Sequence, residues 1–144
     1  MNIFIADDDQ DDRTLFADAL SEYPLYTQVT AVNDGVQLMA ELYSGNPLPD
    51  VIFLDLKMPM MDGFECLSDI RDVDSFQNIP VIIYSTSFLA EDIIRLREMG
   101  ATLYLQKPSS YDDLKRVLHG CLENLGTKPV SGTTSSDDFV LHAQ

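Results

Sequence analysis

The chain has 144 residues, 45% of them hydrophobic, which suits one domain with a sizeable core. Its formal net charge of −15 repels phosphate backbones and anionic lipid, and this argues against direct nucleic-acid or membrane-surface binding. No apolar run approaches the roughly 20 residues a bilayer demands, and the first residues lack the basic region of a signal peptide.

The pattern alternates short apolar runs with helical stretches. Asn2–Ala6 predicts a first strand. Leu15, Phe16, Ala19, Leu20 and Tyr23 then line one helix face. A second strand is expected over Tyr26–Val32, and Asp34 can cap the helix through Val36, Met39, Ala40 and Tyr43, which Gly45 and Pro47 stop. Val51–Leu54 is a continuous apolar run ending at Asp55, the pattern of a central strand covered on both faces. After the Pro59–Gly63 turn, Phe64, Leu67 and Ile70 mark a third helix. Pro80 opens a strand over Val81–Tyr84, Glu91–Met99 forms a fourth helix, and Thr102–Leu105 is the last strand. Leu114, Val117, Leu118, Cys121, Leu122 and Leu125 give a fifth helix a clean core stripe. Residues 126–144 are rich in Gly, Ser, Thr and Pro, so a flexible tail too short for an output domain is expected behind a domain over 1–125.

Five strand–helix repeats predict an α/β fold with a parallel sheet and right-handed crossovers. In such sheets ligands bind beyond the carboxyl ends of the strands. Asp7 and Asp8 follow the first strand, Asp55 the third, Ser85 the fourth and Lys107 the fifth. Three carboxylates at close range require a cation. All-oxygen ligands favour a hard ion, Mg²⁺ or Mn²⁺, and the absence of His or Cys at these positions disfavours zinc or copper. A carboxylate fixed beside Mg²⁺ and a lysine is equipped to attack a phosphoryl group, with Ser85 able to donate to a phosphoryl oxygen.

"DDD" after the first strand, "DLKMPMMDG" around Asp55, "STS" after the fourth strand and "QKPSS" after the fifth resemble the receiver domains of two-component response regulators. The match covers about residues 1–125. It implies a flavodoxin-like (βα)5 three-layer sandwich with a five-stranded sheet of order 2-1-3-4-5. It also implies a phosphoacceptor protein rather than an enzyme, phosphorylated by a histidine kinase or histidine phosphotransfer protein. By resemblance, Asp55 matches the phosphoacceptor, Asp8 the direct metal ligand and Asp7 its water-mediated partner. Lys57 matches the position whose backbone carbonyl ligates the metal. Ser85 and Tyr104 match the switch pair, Lys107 the phosphate-binding lysine, and Lys107–Pro108 a cis peptide. Lys57 and Ser87 occupy variable positions that tune phosphoryl lifetime, and Ser109 stands where an aromatic is common. The wording leans toward single-domain receivers accompanying phytochrome-type kinases, monomeric or homodimeric, cytoplasmic and bacterial. Signalling would pass through a change in the face built from helix four, strand five and helix five, read by an unknown downstream protein.

The remaining polar residues have plainer readings. Asp9, Asp11 and Asp12 suit the first turn of a helix, where acidic side chains cap it and complement its dipole. His119 and His142 read as ordinary surface residues, and Met58, Met60 and Met61 as turn and packing residues. Cys66 and Cys121, with no CxxC spacing, read as free buried thiols of a reducing cytoplasm. Two alternatives compete with the switch. One is a constitutive interaction module with an unused pocket. The other is an aspartate-nucleophile phosphatase, disfavoured because the first strand lacks a following "DxDGT".

Overall fold

In the computed structural model, which describes residues 1–127 and 139–141, the uninterrupted apolar run Val51–Leu54 forms β3 with all four side chains buried. A strand with no polar face has to be covered on both sides, and the chain supplies that cover. β1 (Asn2–Ala6) pairs with it in parallel from Ile3↔Val51 to Ala6↔Leu54, and β4 (Val81–Ser85) lies on its other side. β2 (Gln28–Val32) flanks β1, and β5 (Leu103–Gln106) flanks β4. The second strand starts later than its sequence pattern suggests, because Tyr26 is 80% exposed and outside the ladder.

Successive strand residues point to opposite faces, so alternate side chains build two cores. Phe4, Ala6, Ile52, Leu54 and Ile83 face α2 (Gly35–Leu42), α3 (Gly63–Asp72) and α4 (Ala90–Glu98). Ile3, Ile5, Val51, Phe53 and Tyr84 face α1 (Gln10–Ser21) and α5 (Tyr111–Thr127). Three layers result. Cys66 packs in one core and Cys121 in the other, both free and buried; burial pushes the Cys66 thiol up to about 12, with nearby acidic residues adding to it. Such a thiol is poorly ionised and inert. His119 is not an ordinary surface residue: it is half-buried between α1 and α5, its ring edge against Tyr23 and its Nε2–H donating to the Ala19 carbonyl at 2.8 Å.

The expected five-strand order holds, but the sheet has a sixth member. Val140 and Leu141 form β6, parallel to β5 through Tyr104↔Val140 and Leu105↔Leu141, giving β2-β1-β3-β4-β5-β6. Most of the tail expected to be flexible, residues 128–138 and 142–144, lies outside the described residues, while its described parts are regular structure. α5 runs to Thr127, and Phe139 is 1% exposed within the core that contains Tyr104. An apolar triplet beside an unpaired strand edge satisfies backbone groups and buries area together. His142 lies outside the described residues.

Candidate functional site at the carboxyl edge of the sheet

Ladder pairing continues one residue past three strands and thereby sets the site. The Asp7 amide donates to the Val32 carbonyl at 3.1 Å, and the Asp55 amide to the Ala6 carbonyl at 3.0 Å. The Lys107 amide donates to the Ser85 carbonyl at 2.8 Å. These bonds place two carboxylates and an ammonium at one edge of the parallel sheet, where ligand sites of open α/β folds occur. Behind Asp55 the chain turns tightly into α3. A Cβ added to Gly63 would lie 2.5 Å from the Asp55 carbonyl oxygen, so only glycine lets the helix start this close. Asp62 and Glu65 lock that start with a reciprocal capping box. Met60, in the same turn, holds a left-handed φ of 71° and is 80% exposed, a conformation unfavourable for a residue with a Cβ.

The charges are close and dry. Asp7 is wholly buried, Asp55 7% exposed, and the Lys107 side chain 8% exposed. Lys107 Nζ donates to Asp7 Oδ2 at 2.7 Å, to Asp12 Oδ2 at 2.9 Å and to Asp55 Oδ2 at 3.5 Å, and sits 5.0 Å from the centroid of the Tyr84 ring. Asp7 Oδ1 accepts from the Asp9 amide at 3.0 Å, and Asp55 Oδ1 from the Leu56 amide at 2.8 Å. Burial raises the Asp55 carboxyl to about 6 against the opposing pull of Lys107, and the neighbouring charge of Asp7 adds to the rise. For Lys107 burial disfavours the charge, but the hydrogen bonds it donates to Asp12 and Asp7 and the charge of Asp55 outweigh it, so its ammonium is held above the ordinary lysine range.

Asp7, Asp8 and Asp55 each offer a carboxylate oxygen, and the three oxygens lie within 4.8 Å of one another. That donor set, all oxygen and strongly anionic, fits a hard divalent cation such as Mg²⁺ or Mn²⁺. Asp8 is exposed and opens onto a cleft of about 530 Å³, lined also by Lys57, Met58, Pro59, Ser87 and Leu89. The cation half of the site is therefore reachable from solvent, whereas Asp7 is not.

Ser85 and Tyr104 are brought together through Ser87. The Ser85 hydroxyl accepts from the Ser87 amide and shares a hydrogen bond with the Ser87 hydroxyl, each at 3.2 Å. Tyr104, 0% exposed, donates its hydroxyl to the Ser87 carbonyl. Ser85 is buried at the end of β4, with both of its hydroxyl contacts made to the following loop. One expectation is overturned: none of the described peptide bonds is cis, so Lys107–Pro108 is trans, the form X–Pro bonds favour by about 0.5–1 kcal/mol.

Two residues of the site escape a sequence reading. Asp12 looks like one more acidic residue in a first helical turn, yet it reaches Lys107 across 95 positions. Arg13 donates to the Asp7 carbonyl at 2.6 Å and so fixes the turn after β1 from outside. Asp9 behaves as expected, capping α1 by accepting from the Asp12 amide at 3.1 Å.

Comparison with known proteins adds a lineage to this geometry. A family model described as the response regulator receiver domain matches residues 3–119. Response regulator Rcp1 of Synechocystis sp. is 30% identical over 123 residues, covering 82% of this chain and 84% of that protein. The sensor histidine kinase CheAY of Helicobacter pylori is 31% identical over 116 residues, of which this chain spans only 14%. Among solved structures, the phosphorylated cyanobacterial phytochrome response regulator RcpA superposes with a TM-score of 0.82 at 30% identity, over 88% of this chain and 94% of that one. The Mn²⁺-bound form of Rcp1 gives 0.78 at 28% identity, over 92% and 99%.

Proposed function

The chain belongs to the response-regulator receiver family, and on that premise we propose that it is a phosphorylation switch whose acceptor is Asp55. The observation that carries this reading is a buried carboxylate with Lys107 Nζ at 3.5 Å and the oxygens of Asp7 and Asp8 within 4.8 Å. In the reaction, an Asp55 oxygen attacks the phosphorus of a phosphohistidine on a histidine kinase or histidine phosphotransfer protein. The O–P bond forms as the P–N bond breaks, the imidazole keeps the electron pair of that bond, and it takes up a proton from solvent. Lys107 lies beside the accepting carboxylate and faces the charge that develops on the transferred group. Asp7, Asp8 and Asp55, with the backbone carbonyl of Lys57, would hold Mg²⁺ or Mn²⁺. Such an ion supplies further neutralisation of the phosphoryl oxygens.

The switch follows from the partners of Ser85. When its hydroxyl donates to a phosphoryl oxygen its proton is withdrawn from Ser87, so the contacts with Ser87 rearrange, and Ser87 is also the partner of Tyr104. The change then reaches the face of α4, β5 and α5, where a downstream protein reads it. The phosphorylated RcpA and Mn²⁺-bound Rcp1 structures support this reading by analogy at 30% and 28% identity. A cytoplasmic protein acting by protein contact rather than on DNA fits the net charge of −15, and no helix among the described residues is long and apolar enough to cross a membrane. It would act as a monomer or homodimer.

Incubation with acetyl phosphate and Mg²⁺ tests the assignment by mass spectrometry. A hydroxylamine-sensitive gain of one phosphoryl group is expected in the wild type and its absence in Asp55→Asn. No gain in the wild type, or a gain that survives the substitution, rules Asp55 out.

A further inference from the structure

We propose that Asp12 is a positioning residue for Lys107, a proposal that rests on the phosphoacceptor reading above. It holds the ammonium on the α1 side of the site, favouring a cation at the acidic cluster and opposing an anion on Asp55. α1 has its side-chain cap in Asp9, which takes the Asp12 amide at 3.1 Å, so the Asp12 carboxylate is not used for that cap. That bond fixes the backbone of Asp12 and turns its carboxylate back over the end of β1. There it meets Lys107 Nζ at 2.9 Å while its own side chain remains 33% exposed.

Three contacts share the ammonium, and their lengths rank them. Asp7 at 2.7 Å and Asp12 at 2.9 Å are full charge-assisted hydrogen bonds, whereas Asp55 at 3.5 Å is at the limit. The lysine, though beside the acceptor carboxylate, therefore rests closer to Asp7 and Asp12 than to it. The cluster of carboxylate oxygens within 4.8 Å of one another comprises Asp7, Asp8 and Asp55 and leaves Asp12 out. A cation bound to that cluster draws on Asp7 and Asp55, and Asp12 is the lysine partner it does not claim. When a phosphoryl group arrives on Asp55, the three protons of Lys107 are shared among the new anion, Asp7 and Asp12.

Removing the charge of Asp12 should therefore move two affinities in opposite directions. With Asp12 neutral, Lys107 keeps Asp7 but loses the partner that draws it toward α1, so more of its charge is available to Asp55, which attracts an anion there and repels a cation from the same carboxylates. A residue serving only the helix terminus would alter stability by tenths of a kcal/mol and leave both affinities where they were.

The test uses the full chain as wild type, Asp12→Asn and Asp12→Glu, with folding checked by thermal midpoint. Mg²⁺ binding is measured by calorimetry, and beryllofluoride binding at saturating Mg²⁺ by fluorine NMR. Asp12→Asn is expected to weaken Mg²⁺ about fivefold and to tighten beryllofluoride about fivefold, a partly exposed ion pair being worth about 1 kcal/mol. Asp12→Glu should return both toward wild type. Two affinities unchanged within twofold, or shifted in the same direction, overturn the proposal. A wild type that binds no beryllofluoride, or Asp55→Asn that still binds it, instead removes the phosphoacceptor reading and this proposal with it.

Discussion

The hydroxyl of Tyr104 donates to the carbonyl oxygen of Ser87 at 2.5 Å, and this bond ties β5 to the loop that follows β4. Ser87 is at the same time the partner of the Ser85 hydroxyl. Tyr104→Phe keeps the ring in its core and removes only the donor. We expect a loss of about 1 kcal/mol in urea unfolding, the usual net value of one hydrogen bond. Amides of the loop around Ser87 should exchange faster, with those of β1 and β3 unchanged. Equal exchange in the loop would mean that Tyr104 does not hold it.

A second expectation concerns pH. The Asp55 carboxyl is raised from its ordinary value of 3.8 to about 6, first by burial and then by Asp7 against the pull of Lys107. Ionising it therefore costs the folded protein more than the unfolded chain. Its contribution to stability is present below about 4 and is lost as pH rises through about 6. Protons and a divalent cation compete for this carboxylate, so Mg²⁺ affinity should fall about tenfold per pH unit below 6 and flatten above it. Asp55→Asn should raise the melting temperature in EDTA at neutral pH, by about 1–3 kcal/mol in stability. A melting temperature lowered by that substitution would contradict the sign.

Removal of Lys107 isolates the opposite effect. Lys107→Met leaves the buried Asp7 facing Asp55 and Asp12 without their shared cation. Breaking a buried charge set in this way destabilises by about 3–5 kcal/mol. Divalent cation should restore a large part of that loss, because it neutralises the same carboxylates. Thermal unfolding with and without Mg²⁺ checks this, and a loss that Mg²⁺ leaves untouched would show that the ammonium's role is packing.

Phe139 invites a different measurement. Its ring is 1% exposed and lies 5.6 Å from the Arg97 guanidinium, but only two strand residues follow it in β6. Replacing a core phenylalanine by alanine ordinarily destabilises by about 3–5 kcal/mol. Here the loss cannot exceed the free energy that holds this one segment, since the segment can detach while the domain stays folded. Phe139→Ala should therefore speed hydrogen exchange along β5 with little change in global melting temperature. A fall in melting temperature typical of a core deletion would show that β6 folds with the rest of the sheet.

The fold and most of the site's positions are legible in the sequence for one physical reason. Central parallel strands must be wholly apolar, so a polar residue at the end of such a run stands out, as Asp7, Asp55, Ser85 and Lys107 do. Asp12 does not stand out. Acid in a first helical turn already has an explanation in capping and the dipole, and its meeting with a lysine 95 positions away depends on side-chain reach. β6 is hidden for another reason: two strand residues carry no periodicity, and their pairing exists only because β5 has a free edge. His119 is hidden likewise, since its burial comes from α1 packing over α5.

The sixth strand also alters the mechanical standing of α5. A helix that only follows the last strand is anchored at its start, but α5 lies between two adjacent parallel strands and is part of a crossover. Its first turn leads out of β5, and the chain beyond its last turn leads back to the same edge. In chain order α5 thus lies between the two strands paired through Tyr104↔Val140 and Leu105↔Leu141. The edge that carries Tyr104 is thus closed by a strand that the chain reaches only after α5.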